Sequence, residues 1–397
     1  MKRSQWLLLV GMTAVSVTLR PAIASVAPIL ETIRTDLAIS NAAASLLTTI
    51  PIVCMGVFAF TFMTITNHMK RSRLLLWGVV VIALSTTARV GSRNISVLFL
   101  STLLVSISIG VTQAVLPALV TEHFPNRSSF VTGVYTASMT SGAIVATLLT
   151  APLAKMFSWP MALAFWSVPA FFAVPIWLFV LEPDEHRTGS QPSDRGGFVR
   201  DGGSSIPWRR HSAWVLVAVF GGAIAMFFTV LTWLPPRYVA LGWSQSAAGL
   251  LIAVCLSIQI GSNLFVSAVG DRWGDKRPLF GLMICSFVTG AAGVAILPLA
   301  APFLWSVLLG IGSGGLFTLS LTLPITHAET PAETDKLTAM MLGVGYLIGS
   351  LGPVIGGVLR DLTGSDTLLF TTLTVFALSV LVPVFSLQGE ETGNSTP

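Results

Sequence analysis

Twelve mostly apolar stretches run through this chain, joined by short polar connections, and they constrain it more than any other feature. A helix needs about 20 such residues to cross a bilayer. The stretches cover approximately residues 6–30, 43–66, 74–92, 95–120, 129–154, 161–181, 213–240, 246–270, 278–298, 302–326, 337–359 and 367–387. The expected fold is therefore an all-α integral membrane protein with twelve transmembrane helices. A count of ten or eleven competes if 278–326 holds one span and a re-entrant segment. Pro298 and Pro302 mark the turn inside that stretch.

Composition excludes the soluble alternative. Hydrophobic residues make up 53% of the chain and charged ones 10%, against about 25% charged in an ordinary soluble domain. Most of the surface must face lipid. The net charge of +5 does not imply a nucleic-acid partner, because the Lys and Arg residues are scattered among short loops. Cys54, Cys255 and Cys285 lie inside apolar runs without C-x-x-C spacing, so they read as packing residues, and neither a metal nor another cofactor is expected. The N-terminal apolar run passes through Arg20 and Pro21 to Leu30. It is too long for a signal peptide and reads as the first uncleaved span.

Glu182–Ser212 is rich in Gly, Ser, Pro and charge, the composition of a flexible linker. It separates an N-terminal six-helix half, 1–181, from a C-terminal half, 213–397, with 182–212 between them. The halves show faint self-similarity. Leu116-Pro117 with Glu122 and Pro125 recurs as Leu323-Pro324 with Glu329 and Pro331, and the two span prolines are 207 residues apart. With both termini inside, cytoplasmic segments hold 15 Lys and Arg residues and external ends hold 5. That excess places both termini and the linker in the cytoplasm.

Few spans carry charge. Arg20 is the only charged side chain between Arg3 and Glu31. It lies 14 residues past Trp6, roughly 21 Å along a helix axis. A guanidinium at that depth is costly and is retained when it faces a polar cavity or a partner. Its planar fork suits a small anion; snorkelling toward the external headgroups is the bland alternative. Arg89, near the external end of its span, reads as a snorkelled anchor. No Asp or Glu falls inside the stretches as drawn, and His327 is the titratable group bordering them, which argues against a proton-driven drug pump.

Neutral polar residues sort onto helix faces. Ser106, Gly110, Gln113 and Pro117 share one face of the fourth span, and Cys255, Gln259 and Asn263 share one face of the eighth. Buried amides need a partner from a neighbouring helix or a solute, so Gln113, Gln259 and Asn263 join Arg20 as candidate substrate contacts. Tyr135, Trp233 and Tyr346 are added as aromatic residues that could line a cavity. Gly345, Gly349, Gly352 and Gly356 form a small-residue stripe that close helix packing explains. Trp6 and Trp159 read as interfacial belt residues.

The loop Gly270-Asp-Arg-Trp-Gly-Asp-Lys-Arg277 resembles the loop signature of the major facilitator superfamily. The resemblance implies a reversible ion-pair latch built on Asp271, Arg272, Lys276 and Arg277. The matching first-half loop, Asn67–Arg73, keeps the basic residues and lacks the Asp. Further stretches are similar to the cyanate/nitroimidazole branch of that superfamily, most widely to bacterial cyanate permeases. They are Leu19–Pro28, Leu46–Pro51, Gly110–Pro117, Trp233–Pro235, Gly312–Phe317 with His327, and Lys336–Gly345. Phe220–Ala225 departs from the pattern, lacking the polar Asn or Gln that relatives often show there.

The resemblance implies a fold of two six-helix halves with a solute site near the midplane, working by alternating access in a bacterial inner membrane. The expected partners are a small-molecule substrate and lipid, with the carrier a monomer and no nucleic acid bound. The leading substrate is a small anion of the cyanate type. Transport or export of a small neutral or aromatic compound such as a nitroimidazole is the alternative. An intramembrane enzyme would need a nucleophile–base or carboxylate cluster at depth, and a receptor would need a folded soluble domain; the sequence offers neither.

Overall fold

The computed structural model describes residues 3–66, 71–124, 127–185, 207–270, 276–328 and 330–386. Among these, every regular element is a helix. Twelve spans are long and apolar enough to cross a membrane: Gln5–Asp36, Asn41–Phe60, Arg71–Gly91, Ile95–Val120, Phe130–Met156, Trp159–Val180, His211–Ala240, Gln245–Val269, Arg277–Ile296, Pro302–Pro324, Glu333–Thr363 and Asp366–Ser386. The ninth helix ends at Ile296 and the tenth starts at Pro302. The two prolines thus bound a turn between separate spans, and the re-entrant alternative falls away.

Several spans overrun the apolar stretches that announce them, because capping groups carry the helix into charged sequence. The Thr330 hydroxyl accepts from the Glu333 N–H at 3.3 Å, with Pro331 in the first turn, so the eleventh span starts before its apolar part. It ends on Gly364, whose φ of +62° fits the left-handed cap. The first span likewise runs on to Asp36. The expectation of carboxylate-free spans is corrected at the span ends: Glu31, Asp36, Glu333, Asp335, Asp361 and Asp366 all ride on spanning helices.

The chain forms two compact units. One comprises Met1–Ile39, Leu47–Arg200 and Gln245–Ala253; the other comprises Ser40–Leu46, Asp201–Ser244 and Val254–Pro397. In the first, span 1 packs on spans 5 and 6, and span 3 on spans 4 and 6. In the second, span 7 packs on spans 11 and 12, and span 9 on spans 10 and 12. The second set is the first advanced by six, so one arrangement of six spans occurs twice. The expected glycine stripe packs as foreseen. A Cβ on Gly345, Gly349 or Gly352 would press into Phe220, Ile224 or Thr229 of the seventh span. In the second unit Asp361 also caps the start of span 2, accepting from the Asn41 and Ala42 N–H groups at 2.8 Å each.

Trp159 opens span 6 and is buried in the protein, where its indole N–H donates to Asp36 Oδ2, at the end of span 1, at 2.7 Å. One placement differs from expectation. Cys285 is exposed, so it faces outward rather than packing inside; Cys54 and Cys255 are buried as expected.

Candidate functional site

In the first unit, Arg20 stands where span 1 breaks. A helix Arg3–Leu19 gives way to the short turn Pro21–Ala24, a 3-10 turn Ala27–Ile29 and a helix Leu30–Asp36. Pro21 and Pro28 cause this, since neither has an N–H to continue the ladder. Arg20 opens the turn with φ −88° and ψ −32°, and its carbonyl accepts from Ile23 and Ala24 at 3.1 and 2.9 Å. Its side chain is half-buried and takes part in further interactions with its surroundings. Pro21 also leaves the Val17 carbonyl without its usual donor. Span 5 meets that carbonyl with Gly142, where a Cβ would lie 2.4 Å from the oxygen; only glycine permits the approach.

Arg89 is not a snorkelled anchor. It is 1% exposed, folded into the protein at the end of span 3. Nη1 donates to the Ala22 carbonyl at 2.9 Å and Nη2 to Thr102 Oγ1 at 3.4 Å, while Nε has no partner. The end of a span lets a long side chain run either outward to the headgroups or inward, and here the free Ala22 carbonyl draws it inward. Gln113 is half-buried with its Oε1 sealed from solvent and unbonded. Tyr135 is buried and engaged with its surroundings.

In the second unit, Gln259 and Asn263 lie one turn apart and face Gly314 of span 10. A Cβ on Gly314 would stand 2.7 Å from the Gln259 carbonyl and 2.9 Å from Asn263 Oδ1. Thr318 Oγ1 donates to the same Oδ1 at 3.1 Å. Tyr346 is buried, edge-on to Phe220 with ring centres 5.3 Å apart, and Phe317 lies 6.0 Å from Phe220. Trp233 belongs to a different group. Its indole N–H donates to the Pro353 carbonyl at 2.9 Å, and the Arg360 guanidinium sits over its ring. Arg360 in turn pairs with Asp366 at 3.0 Å.

Of the latch residues, Asp271 and Arg272 lie outside the described residues. Lys276 Nζ donates to Thr322 Oγ1 at 3.3 Å, and Arg277, half-buried, opens span 9 and takes part in further interactions. Sequence reading missed the ties at the span ends. Arg210 pairs with Glu333 and also donates to the His327 carbonyl. In the first unit Gln5 reaches the His123 carbonyl at 3.4 Å and Arg71 pairs with Glu122 at 3.3 Å. No group of three or more His, Cys, Asp or Glu among the described residues could hold a metal ion.

Comparison with known proteins bears on the whole chain. The sequence model of the Major Facilitator Superfamily matches residues 8–357. The cyanate transport protein CynX of Escherichia coli (strain K12) is 29% identical over 385 residues, covering 96% of this chain and 97% of the relative. The 2-nitroimidazole transporter of the same organism is 25% identical, covering 97% and 95%. Among solved structures, a bacterial homolog of the human lysosomal transporter Spinster, inward-facing and unoccupied, superposes with a TM-score of 0.75 at 13% identity, covering 97% of each chain. The nucleoside transporter NupG gives 0.72 at 13%, covering 96% and 98%. At these identities the superpositions speak for the fold alone.

Proposed function

This chain belongs to the major facilitator superfamily, is therefore a multi-pass membrane transporter of a small molecule rather than an enzyme, and we propose that its substrate is a small monoanion of the cyanate type. One observation carries this reading: the guanidinium of Arg20, half-buried at the proline break of the first span. A guanidinium offers up to two parallel charge-assisted hydrogen bonds, which suits a compact anion with terminal acceptor atoms. The resemblance to a cyanate transport protein over nearly the full length of both chains supports the same reading. The remaining contacts we assign to Gln113 and Tyr135 in one unit and to Gln259, Asn263 and Tyr346 in the other. Trp233 serves them indirectly, through the packing of span 11. The carrier works as a monomer by alternating access in the inner membrane with both termini cytoplasmic, and the loop bearing Asp271 and Arg272 steadies one of its states together with Lys276 and Arg277.

The second reading, a neutral planar heterocycle, is favoured by the aromatic cluster of Phe220, Phe317 and Tyr346. Uptake of labelled cyanate and of a labelled nitroimidazole into proteoliposomes separates the two. With purified, monodisperse variants, Arg20→Gln should weaken cyanate binding roughly tenfold to a hundredfold, the loss of a hydrogen bond to a charged group. Arg20→Lys, keeping charge without the fork, should lose less. Unchanged cyanate uptake by Arg20→Gln overturns the anion reading. Nitroimidazole uptake lost on Phe220→Ala and insensitive to Arg20 would put the neutral substrate in its place.

A further inference from the structure

Arg89 is a buried cation whose hydrogen-bond acceptors are both neutral: the Ala22 carbonyl and the Thr102 hydroxyl. Holding a guanidinium in such surroundings is unfavourable, so its placement needs a physical reason. The backbone of span 1 supplies one. In a continuous helix the Ala22 carbonyl would accept from Val26, but the Val26 N–H bonds to Ile23 instead, at 3.3 Å. The break thereby leaves the Ala22 carbonyl without a backbone donor, and a buried carbonyl needs one. Arg89 provides it from span 3, and its second arm reaches span 4 at Thr102.

The Val17 carbonyl, which loses its donor to Pro21, is held against Gly142. The broken segment is thus pinned on both sides of Arg20, three residues before it and two residues after it. We infer that Arg89 is a positioning residue: it fixes the turn that carries Arg20 and so sets where the Arg20 guanidinium meets the anion. This rests on the proposal that Arg20 binds the substrate.

The test is a double-variant cycle on cyanate uptake, with KM and maximal rate measured separately. Arg89→Lys keeps the charge but its ammonium cannot span Ala22 and Thr102 together, so KM should rise about tenfold, the worth of one charge-assisted bond. In an Arg20→Lys background there is no planar fork to aim, and the same change should raise KM less than about threefold. An equal effect in both backgrounds, or none in the parent, overturns the inference and leaves Arg89 as general scaffolding. Should Arg89→Lys fail to fold, Thr102→Val runs the same cycle with the charge intact; its smaller rise in KM must also shrink in the Arg20→Lys background, or the inference fails. If Arg20→Lys itself leaves KM unchanged, the anion reading falls first and this inference falls with it, a pattern distinct from equal effects in both backgrounds.

Discussion

Spans 2 and 4 cross in the first unit as spans 8 and 10 cross in the second, and the two crossings differ in one respect. In each, a glycine lets the backbones approach. A Cβ on Gly110 would lie 3.0 Å from the Cys54 carbonyl, and one on Gly314 would lie 2.7 Å from that of Gln259. The next turn supplies Phe58 Cδ2 at 2.8 Å in the first crossing and Asn263 Oδ1 at 2.9 Å in the second. The equivalent positions are 204 or 205 residues apart. The repeat therefore preserves the close approach, which helix packing demands, while the side chain beside it changes from an aromatic ring to an amide. Of the candidate contact amides, Gln113 lies on span 4 of the first unit, and Gln259 and Asn263 lie on span 8 of the second. Two units of one architecture thus place different side chains beside the same close approach.

The largest effect should come from filling the glycines. At Gly314 a new methyl meets the backbone of Gln259 first, and backbone cannot swing aside. At Gly110 the first atom met is on the Phe58 ring, which can turn. Overpacking of this kind costs about 1–3 kcal/mol, partly offset by about 1 kcal/mol of helix propensity gained over glycine. Gly314→Ala should then cost about 2 kcal/mol and Gly110→Ala about half as much, read as the fall in thermal unfolding midpoint in detergent. Equal losses would show that the two crossings are mechanically alike and that the Phe58 ring is as fixed as the backbone.

A smaller effect is expected from making the second crossing apolar. Asn263→Leu removes the acceptor of the Thr318 hydroxyl, which can turn back to its own helix carbonyl, so the cost should be about 1 kcal/mol. Cyanate uptake should fall further than that loss of stability explains, because the amide facing Thr318 is assigned to the solute. A variant that loses stability and keeps its full uptake would return Asn263 to a purely helix-bonding role.

How much of this was legible beforehand follows from the kind of information each feature needs. The twelve spans were readable because a bilayer imposes a length on apolar sequence and the chain carries 10% charge. The repeat was readable from spaced prolines, Pro117 and Pro324. The span ends were not, since the Thr330 cap and the overrun to Asp36 continue helices through charged residues that an apolar window excludes. Arg20 could be singled out because one charge in a long apolar run is conspicuous. Arg89 carried the same signal, but its direction depends on an orphaned carbonyl 67 residues away in sequence. The glycines at 110, 142 and 314 were invisible as contacts, because a glycine in a span does not announce which backbone it admits. The contacts of Trp233 with Arg360 and Pro353 were equally hidden.

The smallest effect on stability, and the one that sharpens the comparison most, concerns Gln113. Its Oε1 is sealed from solvent with no hydrogen-bond donor, whereas the Asn263 Oδ1 of the other unit has Thr318. An unpaired buried acceptor is a standing cost of about 1–3 kcal/mol, so removing it in favour of an apolar group of similar size should cost little. Gln113→Leu is therefore expected to lose no more than about 1 kcal/mol of stability, and relief of the unpaired acceptor can offset that loss or reverse it. If the amide waits for a donor that arrives with the solute or its hydration water, the same variant should still raise the KM for uptake severalfold. An unchanged KM with unchanged stability would mean that the acceptor is idle in both respects, and the polar lining of the first unit would then reduce to Arg20 and Tyr135. A large loss of stability would show instead that Gln113 bonds within the bundle through its NH2 group, the role that Asn263 plays through its oxygen in the second unit.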